Sequence, residues 1–290
     1  MPEYTVVHDG RYTWAQFLDR VQNGKDTMQG ETVPSSKDYP SSESWDLNTG
    51  YEDALKLAYT GWNAGLAKIE PMTANLLPRI GSHIERVNWK HDVEPAQLDI
   101  ARYLEDEPEC WLTPDVEYIA GQGRLIHIVV NGFLSVAVNA DQVVAQGSAC
   151  CALIQLLELA GHSVKLTWAP ASSVSGMKHQ TSHNTIAQDV VTVKGFGEPL
   201  NMARMAFVLV HPAMQRRLGF RLMECWPARI RRQFSVTRNG HYAKPGVLQN
   251  VKADITLDAQ VWRNGNITIS KEWIIEQLKT QGIHIRNEEA

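Results

Sequence analysis

Residues 125–169 read LIHIVVNGFLSVAVNADQVVAQGSACCALIQLLELAGHSVKLTWA, and this stretch decides the fold class. LIHIVV is a near-continuous apolar run, the pattern of a strand covered on both faces. A polar crest follows at Asn131–Ser135. Asn139 then caps a helix over roughly 140–160, and Gly161 supplies its stop. SVKLTWA is the next strand. Strand, crossover helix and strand make a βαβ unit. Its candidate site lies at the carboxyl end of the first strand, where open α/β sheets keep their ligands.

Downstream, AQDVVTVKG (187–195) reads as a third strand and Asn201 as the cap of a helix through Val210. Pro212 starts another helical stretch, ADITLDAQVW (253–262) reads as a strand, and Ser270 caps a helix that Gly282 closes. This alternation predicts an α/β body over 113–290, with a mostly parallel, helix-flanked, Rossmann-like sheet. Upstream, Trp14, Phe17, Leu18 and Val21 share one face of a short helix. Residues 24–49, poor in apolar side chains, read as an extended linker or a surface wrap that closes an amino-terminal unit over 1–49. Residues 50–112 read as a helical region packed on the body. There Ala54, Leu55, Ala58, Trp62, Leu66 and Ile69 recur at helical spacing and Pro71 ends the run. In TGWNAG (60–65) the glycines read as close packing around an anchoring indole rather than a stacking site for a ligand.

With 290 residues, 43% of them hydrophobic, the chain can bury one large core, or one core plus a small helical appendage. No apolar run reaches the ~18–20 residues that span a bilayer, and MPEYTVVHDG lacks the basic and apolar regions of a secretory signal. A cytoplasmic location and no membrane partner are therefore expected. Cys150 and Cys151 read as small packing residues. Without a C-x-x-C pair, neither a thiolate zinc site nor a disulfide framework is expected.

The net charge of -4 hides a segregation. Between Pro212 and Gly246 stand Arg216, Arg217, Arg221, Arg229, Arg231, Arg232, Arg238 and Lys244 against the single acid Glu224, a local +7 that leaves -11 elsewhere. Such separation points to an acidic partner, either a protein surface or nucleic acid. Trp226, Phe234 and Tyr242 interleave with the cations, as stacking faces do in single-strand binders. Arg216, Arg217, Arg229, Arg231, Arg232 and Arg238 are the expected contacts to phosphate or to an acidic partner.

No G-x-S-x-G, kinase signature, H-E-x-x-H or Gly-rich phosphate loop occurs. Asn131 and Ser135 are the ligand-site candidates, and nothing selects Ser135 with His127 or His162 as a nucleophile and base. His179 and His183 have the spacing of helical zinc ligands, but they stand in a Ser-rich loop without the glutamate and read as exposed polar side chains. His211 reads as an anchor between apolar helices. The acids Asp99, Glu105, Asp106, Glu107 and Glu109 read as a solvated face, and Gly195, Gly197 and Pro199 as a turn. No metal and no cofactor are expected.

The crest NGFLS, in the order strand, helix, strand over 125–285, resembles the von Willebrand factor A-type fold, whose first strand ends in D-x-S-x-S and holds Mg²⁺. Here Asn131 replaces the acid, Phe133 replaces the first hydroxyl and only Ser135 matches. The resemblance thus implies that fold with a degenerate metal site. TGWNAG, ARYLEDEPECWL, IVVNGFLS with LLELAGHSVKL, and MAFVLVHPAMQRRLGFRL resemble uncharacterised proteins of tailed bacteriophages. That second resemblance implies a viral chain in the host cytoplasm and assigns no catalytic residue.

Two readings follow. The preferred one is a non-enzymatic binding or assembly protein working through a protein or nucleoprotein interface. The other is an enzyme acting on a nucleotide or nucleic acid, with its site at Asn131–Ser135 and arginines from 216 to 232 gripping phosphate. A concave site with convergent polar groups would favour the second, and an exposed basic or apolar patch the first.

Overall fold

The computed structural model describes residues 4–26, 35–76, 83–92, 97–120, 123–135, 137–174, 184–236, 242–257, 271–281 and 283. Its strands are β1 (Tyr4–Thr13), β2 (His83–Asp92), β3 (Gln97–Leu98), β4 (Trp111–Ala120), β5 (Leu125–Val130), β6 (Ser163–Trp168), β7 (Ala171–Val174), β8 (Asn184–Lys194), β9 (Lys244–Pro245) and β10 (Ile255–Leu257). The helices are α1 (Trp14–Asn23), α2 (Glu43–Asp46), α3 (Tyr51–Thr60), α4 (Leu66–Leu76), α5 (Ile100–Leu104), α6 (Ala140–Leu159), α7 (Met202–Met205), α8 (Phe220–Glu224), α9 (Ala228–Gln233) and α10 (Lys271–Thr280).

The body is an α/β sheet of seven strands, with β5, β6 and β8 adjacent. The sheet is mixed, not mostly parallel. β10–β5, β5–β6 and β1–β8 run parallel, while β6–β8, β7–β8 and β7–β9 run antiparallel. The reason lies in the connections. A parallel neighbour needs a crossover of helical length, which α6 supplies between β5 and β6. After β6 the chain instead bends at Ala169–Pro170 into β7 and returns as β8, which pairs with β6 and β7 in turn.

Alternation along the strands separates two faces. Ile126, Ile128 and Val130 of β5, Val164, Leu166 and Trp168 of β6, and Val191 and Val193 of β8 join the main core with α1, α3, α4, α6 and α10. On the other face Val129, Ala169 and Val190 pack against Leu248, Val251 and Ala253 of an irregular segment. The run LIHIVV is therefore covered by helices on one side and by a loop on the other.

α6 is long and apolar enough to cross a membrane by length and composition, and here it packs within the core. Asn139 and Gln142 close its capping box, as Thr13 and Gln16 do for α1. All four cysteines are free and buried.

Several expectations need correction. The amino terminus is not only helical: β1 adds a parallel edge to β8, with Gly10 opposite Asp189. The buried Asp189 carboxylate is satisfied by His8 Nε2 at 3.1 Å and Trp226 Nε1 at 2.7 Å. The 50–112 region is not wholly helical, because β2, β4 and β3 form an antiparallel sheet. Pro71 lies inside α4 rather than ending it. The break falls earlier, where Gly61 adopts φ 81° and Trp62 N–H bonds Ala203 O at 2.8 Å. A side chain on Gly65 would collide with the Trp62 ring, so TGWNAG does serve close packing. Helix α7 continues as a π-helical turn, Ala206–Val210, and a second π-turn spans Met214–Gly219. Every residue of that second turn is buried, including Gln215, Arg216 and Arg217.

Candidate functional site

The crest after β5 does two separate jobs. Asn131 is fully buried; its Oδ1 accepts from Phe133 N at 3.1 Å and Ala171 N at 3.3 Å, and its Nδ2 donates to Gly246 O at 2.8 Å. It ties the end of β5 to the start of β7 and to the chain after β9. Asn131 is thus a structural knot, and it is absent from the lining of the cavity described next. Beyond it, Phe133 and Ser135 reach the wall of a cavity of about 1190 Å³ at the carboxyl end of β5.

Five further segments complete that wall: residues 36–45 from the polar amino-terminal stretch, the end of β7, the second π-turn with Phe220, Phe234 and Ser235 after α9, and residues 242–245. Phe220 and Tyr242 stack at 3.8 Å with their planes 3° apart. The Arg216 guanidinium lies 3.9 Å over the Trp45 ring and donates to Trp45 O and Val138 O. Burial pushes Arg216 down to about 10, so it keeps its charge at neutral pH. Ser36 and Gln215 belong to this wall, but Ser36 Oγ and Gln215 Oε1 are themselves fully buried behind it, with no hydrogen-bond partner among the described residues. Among the described residues, the lining contains no carboxylate, imidazole or thiol.

The arginines expected to face a partner are mostly turned inward. Residues 35–49 form a strap across the helices, and Arg217 is its peg. Arg217 donates to Asp46 Oδ2 (2.9 and 2.5 Å), Thr49 O, Ser36 O, Tyr39 O and Ser41 Oγ. Arg221 bonds Glu224 at 3.3 Å and Gly24 O at 2.6 Å, and Arg231 bonds Asp26 at 2.7 Å. Glu224 also accepts from Ser36 N and Tyr242 OH; burial, reinforced by this carboxylate, holds the Tyr242 phenol far above its ordinary range. Arg216, Arg217 and Arg231 are therefore internal groups, while Arg229 and Arg232 are exposed. Arg238 lies outside the described residues.

The remaining candidates separate in space. Ser135 Oγ accepts from Ala137 N at 3.3 Å, whereas His127 bonds Thr167 Oγ1 and His162 accepts from Arg124 N. No Ser–His pair is assembled among them. His179 and His183 lie outside the described residues, as do Ser270 and Gly282. His211 is a buried anchor, set edge-on to Trp62 at 4.6 Å. Asp99 caps α5 and bonds His91, and Glu107 pairs with Arg102, so these acids act within their own surface. Gly195 N and Gly197 N donate to Glu198 and Ser163, so both glycine amides are taken within the turn. No group of three or more possible metal ligands occurs among the described residues.

Sequence reasoning missed Ser36, Trp45, Gln215, Phe220 and Tyr242 as wall residues. They lie up to two hundred positions apart along the chain and share no motif, so only the folded packing brings them together.

A family model described as a domain of unknown function (DUF7192) matches residues 12–285. No curated protein and no solved structure matches the chain.

Proposed function

This chain belongs to the DUF7192 family of domains of unknown function, and we propose that it is a non-enzymatic binding protein that receives a segment of a protein partner in the cavity between the strap and the end of β5. One observation carries this reading: a cavity wall that joins the rings of Trp45, Phe133, Phe220 and Tyr242 to the hydroxyl-bearing Ser42, Ser44 and Ser135. A peptide matches both. Its main-chain amides suit the hydroxyls, and its apolar side chains suit Phe133, Phe220 and Trp45. Arg216 and Lys244 are the charged groups of the lining and both are cationic, which favours a neutral or acidic segment. The volume of about 1190 Å³, above the ~300–1,000 Å³ typical of small-molecule sites, leaves room for several residues.

General acid–base chemistry needs a group that exchanges protons near neutral pH. Among the described residues the lining holds no imidazole, carboxylate or thiol, which supports binding over catalysis. The resemblance to tailed-phage proteins supports placing the role in the cytoplasm of an infected host. The likeness to a von Willebrand factor A-type fold supports a ligand site at this strand end that does not use a metal.

A photo-crosslinking amino acid at Tyr39, an exposed wall residue, tests the proposal. It should capture a polypeptide, and the filled-cavity variant Ser135→Trp should abolish that capture while Arg229→Gln leaves it intact. Capture that persists in Ser135→Trp, or a small molecule as the sole occupant in native mass spectrometry, would overturn it.

A further inference from the structure

The face of the sheet away from the helices carries a second feature. Thr13 of β1 is in register with Thr192 of β8, and Thr192 with Thr167 of β6, so three hydroxyls form a row across three strands. Beside that row His127 of β5 is in register with Lys165 of β6. Registered partners share a face. Lys252 approaches from the irregular segment, and its backbone hydrogen-bonds the His127 ring. The row, His127, Lys165 and Lys252 line a groove of about 350 Å³ that also takes in Arg11, Gln16 and Asn250. No carboxylate lines it among the described residues. Arg11 is paired with Asp9, and Asp254 accepts from His127 N. Lys165 and Lys252, in contrast, have no ion-pair partner among the described residues. That contrasts with Lys194 on the same sheet, which bonds Glu158 at 2.7 Å.

We propose that this groove binds a small organic phosphate. The phosphate oxygens would accept from the ammonium groups of Lys165 and Lys252 and from the hydroxyls of Thr13 and Thr192, Thr167 being held by His127, and the organic part would meet Gln16 and Asn250 of the same groove. Hydroxyl and ammonium donors without a competing carboxylate are what an oxyanion needs. A volume near 350 Å³ suits a ligand the size of a sugar phosphate. The site is separate from the partner cavity, and its occupancy does not depend on that reading.

The His127 ring reports on the groove. Burial first, and then Lys165, holds its titration below the ordinary imidazole value, while the Lys252 backbone and Asp254 oppose them. A bound dianion adds negative charge and must raise it. The experiment follows the His127 Cε1–H resonance while inorganic phosphate, ribose 5-phosphate or ribose is added to the full chain. Both phosphates should shift the resonance saturably and raise the His127 titration point, ribose 5-phosphate should bind more tightly, and ribose should do nothing. Lys165→Gln and, independently, the exposed Lys252→Gln should each weaken binding about tenfold, and Arg229→Gln should not. Absence of a saturable shift, binding as tight as wild type in both lysine variants, or ribose 5-phosphate binding no tighter than inorganic phosphate would overturn the proposal.

Discussion

His211 shows how much one side chain's role depends on its surroundings. Its place between two apolar helical stretches marks it as an anchor, and the fold adds the chemistry. Nδ1 accepts from Ala213 N at 3.2 Å and Nε2 lies 3.4 Å from Thr49 Oγ1, so the ring must be neutral with Nδ1 bare. Burial pushes it down to about 4, against ~6.5 in an unfolded chain. Between those values the unfolded chain binds a proton that the native state refuses. His211 therefore costs nothing above about pH 6.5 and destabilises progressively as pH falls toward 4, by on the order of 3 kcal/mol there. Urea unfolding of the wild type and His211→Gln from pH 7 to pH 4 should show the wild type losing that extra stability and the variant not. Parallel pH profiles would contradict it. Asn131 makes the complementary point. Its position at a strand end was legible, but its three hydrogen bonds turn a candidate ligand into a tie between strands.

At the scale of elements, the strap is the main finding. A stretch rich in Ser, Asp and Pro has too little apolar surface to hold itself in place. It is held by Arg217, whose guanidinium satisfies a carboxylate, a hydroxyl and three backbone carbonyls that would otherwise be buried unpaired. Arg217→Met leaves Asp46 buried without its cation and should cost about 3–5 kcal/mol. Adding Asp46→Asn should recover part of that loss, whereas Arg229→Met at the surface should stay within about 0.5 kcal/mol. Denaturant unfolding measures all three, and proteolysis within 35–45 should quicken in Arg217→Met. A loss no larger than that of Arg229→Met would show that the strap is held by something else. Helix α1 was legible because it buries a stripe at its own period, and β5 and α6 because each is a nearly continuous apolar run bounded by polar or glycine breaks. The direction of β8 was not, because an apolar run carries no sign of which way it will pair.

Across the whole molecule, charge segregation along the chain is not segregation in space. The arginines between 212 and 246 meet Asp26 and Asp46 from the amino-terminal stretch and Glu224 from within, and Arg229 and Arg232 are left on the described surface. Free oligonucleotide should therefore give no mobility shift even at low salt. A shift whose salt slope drops by about two units in the Arg229→Ala, Arg232→Ala double variant would restore the nucleic-acid interface. The sequence by itself determined the α/β class, the adjacency of β5, β6 and β8 and the helix caps at Asn139 and Asn201. Each of these follows from local periodicity, capping chemistry or a short connection. Only the tertiary structure decided that the sheet is mixed, that a polar strap buries the basic stretch, and which distant side chains share a cavity or a groove. Burial and ion pairing depend on which segments meet across long chain separations, and in one unaligned sequence a buried arginine and an exposed one are written with the same letter.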